Sequence, residues 1–300
     1  MAKKVLIIGD VRGWAFDRFY QGFKKNSKEW DVHNWYMNED APPNLEKFEL
    51  ILYMSGSNYL APVFKLINNG IPKERIVVAI RSSLRDSFYE KEQSLKEYCQ
   101  AVITSNEMLE GRLKSYHDKV YCLGGGVDTE FFTYKERQTP KMPRVGWCGN
   151  VKNWGESFRG VDIIQQATEG IGWIWNPAFR KDKFRTQEEM LDYYHNEIDI
   201  FVELSKSAGR QNGLIEAGAC GVPIISYKCG IAKELIKDGS NGILLYKREV
   251  VILITALLEL HRDYEKFSKN IKTSIDLKWS WIKQARELES IFNRITYGNL

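Results

Sequence analysis

Short apolar runs and amphipathic stretches take turns along this chain. The first run, "KKVLIIGD", is aliphatic and ends at a glycine. In the following "WAFDRFYQGFKK", Phe16, Phe19, Tyr20 and Phe23 recur at the spacing of one helix face. The alternation then repeats. The pattern predicts strands over Leu50–Met54, Ile76–Ile80, Ala101–Thr104 and Val120–Leu123, and helices over Tyr59–Asn69, Phe88–Cys99 and Glu107–Tyr116. Gly70 and Pro72 end the first of these helices. Continuously apolar strands separated by helices predict a parallel sheet covered on both faces.

After "GGGVDTEFF" the chain turns polar in "TYKERQTPKMP", which has prolines, charges and no periodicity, and a linker is expected at 135–143. A second series follows. Strands are predicted over Arg144–Cys148, Gly172–Trp175, Ile198–Leu204, Val222–Ser226 and Ile243–Leu245. Helices are predicted over Val161–Thr168, Thr186–His195, Asn212–Cys220, Ala232–Lys237 and Glu249–Leu260, with an amphipathic tail, "WSWIKQARELESIF". A chain of 300 residues exceeds the size at which one core keeps growing. The expectation is therefore an α/β protein of two Rossmann-like domains, 1–134 and 144–280, with a closing helix over 281–300 that packs back on the first. Ligands of such sheets bind beyond the carboxyl ends of the strands. With two sheets, the expected site is the cleft between them.

Composition narrows the partners. No run approaches the ~20 apolar residues of a membrane span, and "MAKKVLIIGD" reads as a first strand, not a signal peptide. The cysteines (Cys99, Cys122, Cys148, Cys220, Cys229) have no metal-like pairing and fit a reduced, cytoplasmic protein. His33, His117, His195 and His261 have no spacing of a metal site or a catalytic triad. The net charge is +4, and the excess is local: residues 133–185 carry 10 basic and 5 acidic side chains, whereas 1–132 carry 18 of each. A local excess fits a small anionic ligand better than a nucleic-acid face. A basic linker surface accounts for it equally well.

The densest chemistry lies in "SAGRQNGLIEAGACGVPIISY", Ser207–Tyr227. Here "IDIFVELS" reads as a strand and "NGLIEAGAC" as a helix, so the loop between them delivers backbone N–H groups to a helix N-terminus. That end attracts anions. Gly209 permits close approach and Arg210 adds a fixed charge. Glu216, about one turn further in, would repel a phosphate placed on it but would accept hydrogen bonds from hydroxyls beside one. Complementing the helix dipole explains Glu216 equally well.

Ile198–Leu245 resembles the donor-binding core of retaining GT-B glycosyltransferases, especially family 4. The likeness rests on "DIFVELSKSAG", "EAGACGVPII" and "CGIAKELIKDGSNGILL", taken in order. "GGGVDTEFF", "VGWCGN…FRGVDIIQQA" and the closing Trp-containing helix are similar to further family marks. The resemblance covers the C-terminal half well and the N-terminal half mainly in topology.

The resemblance implies roles residue by residue. Glu216 matches the second glutamate of a family pair and implies a ribose contact; the first glutamate, which touches the donor sugar, is replaced by Ala208. Arg159, in "FRG", matches the family's diphosphate-binding Lys. Asn150, after Gly149, stands where the family has Arg, and Lys152 or Arg210 is the candidate substitute. The 208–212 loop adds Gly209, Gln211 and Asn212 to the donor contacts. Phe179, at a strand end, is a candidate contact for the base. In the first half, "GDVRGW" occupies the position of the family's Gly-rich loop, which implies Gly13 beside the donor and Asp10, Arg12 and Trp14 on the acceptor side. Arg81 ends a strand where the family often has a sugar-contacting His.

The function implied is transfer of a hexosyl or pentosyl group from a nucleoside-diphosphate sugar, such as a UDP- or GDP-sugar, to an acceptor hydroxyl with retention. The expected acceptor is a glycan, a lipid-linked sugar or a small molecule; a modified DNA base is the less favoured choice. No cofactor and no metal are expected, because no carboxylates cluster. Alternatives of other classes are a nucleotide-sugar-binding protein that has lost turnover with the glutamate at 208, and a sugar-nucleotide epimerase of similar shape. The expected location is the cytoplasm or the membrane periphery.

Overall fold

The computed structural model describes residues 3–13, 15–39, 41–55, 60–81, 95–152 and 155–298. The chain forms two compact units, Met1–Gly126 with Trp281–Leu300, and Val127–Ser280.

In the first unit, six parallel strands take the order β2-β1-β3-β4-β5-β6. They are β1 Lys3–Gly9, β2 Trp30–Tyr36, β3 Leu50–Ser55, β4 Ile76–Ile80, β5 Ala101–Thr104 and β6 Val120–Cys122. Successive side chains of β1 go to opposite faces, as the period of two requires. Val5 and Ile7 join one core with Phe19 and Phe23, while Leu6 and Ile8 join another with Val63 and Leu66. The β2 strand, "WDVHNWY", has no apolar run and was not expected. It is the sheet's edge, so only Trp30, Val32 and Tyr36 are buried. The closing helix Trp281–Tyr297 belongs to this unit, with Trp281 edge-on to Phe19 and Phe292 edge-on to Phe23 and Trp30. Residues 88–94 of the expected Phe88–Cys99 helix lie outside the described residues.

The second unit carries β7 Arg144–Gly149, β8 Ile174–Phe179, β9 Ile200–Glu203, β10 Ile224–Tyr227 and β11 Ile243–Leu245, all parallel in the order β11-β10-β9-β7-β8. Ile200 and Val202 face one core and Phe201 the other. The pattern placed β8 two residues early and missed the helix Tyr264–Ser274, whose polar sequence hides Tyr264, Phe267 and Ile271 on one buried face. The helix expected over Thr186–His195 ends at Asp192 and continues as a π-helical turn, Tyr193–Glu197.

The segment expected as a linker is built into the second unit. Lys135 Nζ donates to the His195 carbonyl at 3.1 Å, Arg137 donates to the Tyr194 and Ile198 carbonyls, and Arg144 donates to the Asn196 carbonyl. A π-helical turn at a helix end leaves carbonyls exposed, and cations there are favourable. The units therefore meet in sequence at Gly126–Val127 and Ser280–Trp281, ahead of and behind that segment.

Candidate active site

Strand β9 ends at Glu203, and residues 204–211 lead into the helix Asn212–Ala219. No side chain caps this helix at Gln211, and a helix N-terminus without a side-chain cap attracts anions; the Leu214 N–H already bonds the Gln211 carbonyl at 3.2 Å. Its close seating needs Gly213: a Cβ there would lie 2.7 Å from the Phe201 ring and 2.8 Å from Cys148 Sγ. Ala208 and Gly209 are buried on the loop, and Arg210 is half-buried.

Glu216 is buried, and its Oε2 accepts a 3.1 Å hydrogen bond from the Tyr194 hydroxyl. Tyr194 comes from the π-helical turn. The wider turn brings two successive tyrosines inward. Tyr193 donates to the Asn176 carbonyl at 2.7 Å, and the Tyr194 hydroxyl lies 3.4 Å from Cys148 Sγ. Burial pushes both phenols well above their ordinary range, so each stays a neutral donor.

A second group forms where the short helix Glu156–Arg159 meets the start of the same loop. Arg159 Nη1 donates to Ser205 Oγ at 3.2 Å, and its Nε is buried with no hydrogen-bond partner among the described residues. Ser205 in turn donates to Glu203 Oε1 from its hydroxyl at 2.5 Å and from its backbone N–H at 2.8 Å. Burial pushes the Glu203 carboxyl up, with Ser205 and the Arg159 charge opposing the shift. Arg248 stitches the two segments together: its Nε donates to the Leu204 carbonyl at 2.5 Å and its Nη2 to the Ser157 carbonyl at 2.7 Å. Gly160, at φ 71°, closes the joint, since a Cβ there would lie 2.7 Å from that of Leu204.

Residues 180–263 match the family model Glycosyl transferases group 1. An uncharacterized glycosyltransferase of Methanocaldococcus jannaschii is 32% identical over 101 residues, a match that covers 32% of this chain and 26% of that relative. The chain thus spans about a quarter of that relative's length in the alignment. Among solved structures, a sucrose-phosphate synthase from Thermosynechococcus elongatus superposes with TM-score 0.76 at 12% identity, over 99% of this chain and 100% of that one. The Anabaena protein HepE, solved with UDP and glucose, superposes with TM-score 0.71 at 13% identity, over 97% and 99%. The chain has the GT-B fold, and its similarity to the glycosyl transferases group 1 model lies in residues 180–263.

In the second unit, the carboxyl ends of β7, β8 and β9 lead into the segments that hold the expected site residues. Asn150 Oδ1 accepts from the Lys152 backbone N–H at 2.8 Å and so shapes the turn after Gly149, while the Lys152 side chain is exposed. Phe179 packs on Trp147 at 5.5 Å, with Lys181 Nζ 4.8 Å from its ring centre. The Gln211 amide is committed to the protein, accepting from Ile231 N–H at 3.1 Å and donating toward Cys229 Sγ at 3.4 Å. It braces the loop, which replaces the expectation of a donor contact.

In the first unit, Asp10 Oδ1 accepts from the Val11 N–H, and the Gly13 N–H donates to buried Asp17. Arg12 pairs with Glu39 at 2.8 Å, and Trp14 lies outside the described residues. Arg81 differs from the expectation. It is buried, and its Nη1 and Nη2 donate to the Leu123 and Gly124 carbonyls at 2.6 and 2.8 Å. These bonds fasten the segment that follows β6, so its guanidinium is a structural tie.

The basic excess of 133–185 is corrected in the same way. Lys135, Arg137 and Arg144 serve carbonyls, while Lys181, Lys183 and Arg185 pair with Glu156, Glu189 and Glu197. Pattern reading passed over Glu203, Ser205 and Arg248. The signal for Glu203 was a carboxylate inside an apolar strand, "FVELS".

Proposed function

We propose that the protein transfers a sugar from a nucleoside-diphosphate donor to an acceptor hydroxyl, with retention at the anomeric carbon. The observation that carries this reading is Glu216, a buried carboxylate one turn inside an uncapped helix N-terminus and held there by Tyr194. Anion-binding N–H groups with a hydroxyl-binding carboxylate beside them suit a ribose diphosphate. The UDP in the HepE structure supports the same ligand class.

In this reading the diphosphate lies against the N-terminus of Asn212–Ala219, with Arg159 and Arg210 meeting its charge. As the bond from the anomeric carbon to the phosphate oxygen breaks, charge grows on that oxygen, and preorganised donors stabilise it. The acceptor oxygen bonds to the anomeric carbon, and its proton passes to the leaving phosphate. No side-chain base and no metal are then needed. Among the described residues, no three His, Cys, Asp or Glu side chains group as metal ligands.

Ala208 favours a second reading, a nucleotide-sugar-binding protein without turnover, because the sugar-contacting glutamate of the resembled family is missing. Incubation of the protein with a panel of UDP- and GDP-sugars decides. Donor cleavage or transfer supports the first reading, saturable binding without cleavage the second. An epimerised donor formed without acceptor overturns both.

A further inference from the structure

Resting on the donor-site reading above, we infer that Glu203 is a positioning residue that holds Arg159 in place through the Ser205 hydroxyl. A carboxylate on a strand buried on both faces is costly unless its hydrogen bonds are met. Glu203 ends β9, is buried, and receives both donors of Ser205.

The hydroxyl has one proton and two lone pairs. Glu203 takes the proton, so a lone pair is left to face Arg159 Nη1. With the acceptor removed, the hydroxyl can turn its proton toward the guanidinium, and donor then meets donor. Glu203 thereby sets the polarity of the chain Arg159–Ser205–Glu203.

The remaining contacts keep the chain rigid. Ser226 Oγ donates to the Glu203 carbonyl at 3.1 Å, Cys229 Sγ donates to the Ser205 carbonyl at 3.1 Å, and the Lys206 N–H donates to the Phe158 carbonyl at 2.9 Å. The guanidinium is left with a buried Nε–H that has no acceptor among the described residues. Such a donor, fixed in direction, suits an oxyanion whose charge develops during reaction.

The test is the ¹⁵N–¹H spectrum of the arginine Nε groups in the full chain without ligand, with the Arg159 signal assigned by Arg159→Lys. A sharp, protected signal is expected in the wild type. It should be lost in Ser205→Ala and Glu203→Ala and kept in Glu203→Gln, whose amide oxygen still accepts. An unchanged signal in Ser205→Ala overturns the proposal even if Glu203→Ala fails to fold. Calorimetry with UDP and GDP runs beside it. Ser205→Ala should bind whichever diphosphate the wild type binds about tenfold more weakly. Wild-type protein that binds neither refutes the donor reading, while the Nε spectrum still decides the role of Glu203.

Discussion

The Tyr194 hydroxyl donates a hydrogen bond of 3.1 Å to Glu216 Oε2. It ties the end of one helix, at its π-helical turn, to a carboxylate in the first turns of another. Tyr194→Phe removes the donor and keeps the ring contacts with Phe132 and Phe201. A hydrogen bond to a charged group is worth about 1.5–3 kcal/mol. The variant should fold, melt lower, and bind UDP or GDP several-fold more weakly. Glu216→Ala should lose about tenfold or more in the same titration. Calorimetry checks both, and affinity unchanged in Glu216→Ala removes the ribose assignment.

Arg159→Ala should lower turnover more than it weakens binding of the bare diphosphate, because the charge it meets grows in the transition state. Arg159→Lys keeps the charge and loses the bond geometry, so it should recover binding better than rate. Equal losses in kcat and in affinity would make Arg159 a ground-state contact only.

Ala208 should set donor choice. A glutamate there would accept from sugar hydroxyls, and its charge would be costly to bury without them. Ala208→Glu should reduce use of the native donor and raise use of a plain hexose donor. The kcat/KM ratio of the two donors in wild type and variant is the measurement, and a ratio that does not move removes the assignment.

Transfer should persist in EDTA. Arg159, Arg210 and the open helix N-terminus already supply positive potential to a diphosphate. Activity abolished by chelation and restored by magnesium or manganese would contradict the proposed mechanism.

Glu203 should give stability a pH dependence of defined sign. Burial raises its folded pKa above that of the unfolded chain, against the charges of Arg159 and Arg248 and beside the Cys229 thiol, which burial pushes to about 12. The folded state then holds the proton more tightly. Stability therefore falls as pH rises from the ordinary glutamate range through the raised value, and stays lower above it. Glu203→Gln removes this cost. Its Tm should exceed that of the wild type at neutral pH, by about 2–4 °C for each kcal/mol relieved. The advantage should shrink on acidification. Parallel melting curves across pH would show that the carboxylate ionises without penalty.

The sequence by itself determined the two parallel sheets, because fully buried strands must be apolar at every position. That requirement left Ile76–Ile80, Ala101–Thr104 and Ile243–Leu245 legible to the residue. It also placed Arg159, Ala208 and Glu216 in the strand-to-helix segments that follow β7 and β9, since a turn from strand to helix leaves local marks. Edge strand β2 and the helix Tyr264–Ser274 escaped, because each buries one face only and looks polar in a linear reading. Only the tertiary structure decided how charge is spent. Whether an arginine meets a ligand or a carbonyl depends on which backbone groups the fold leaves unpaired. Arg81 fastens Leu123 and Gly124, and Arg137 covers the π-helical turn, while Arg159 keeps a buried Nε–H without an acceptor among the described residues. Arg81 and Leu123 are 42 residues apart in sequence, Arg137 and Ile198 61, and Arg159 and Ser205 46, beyond any local pattern.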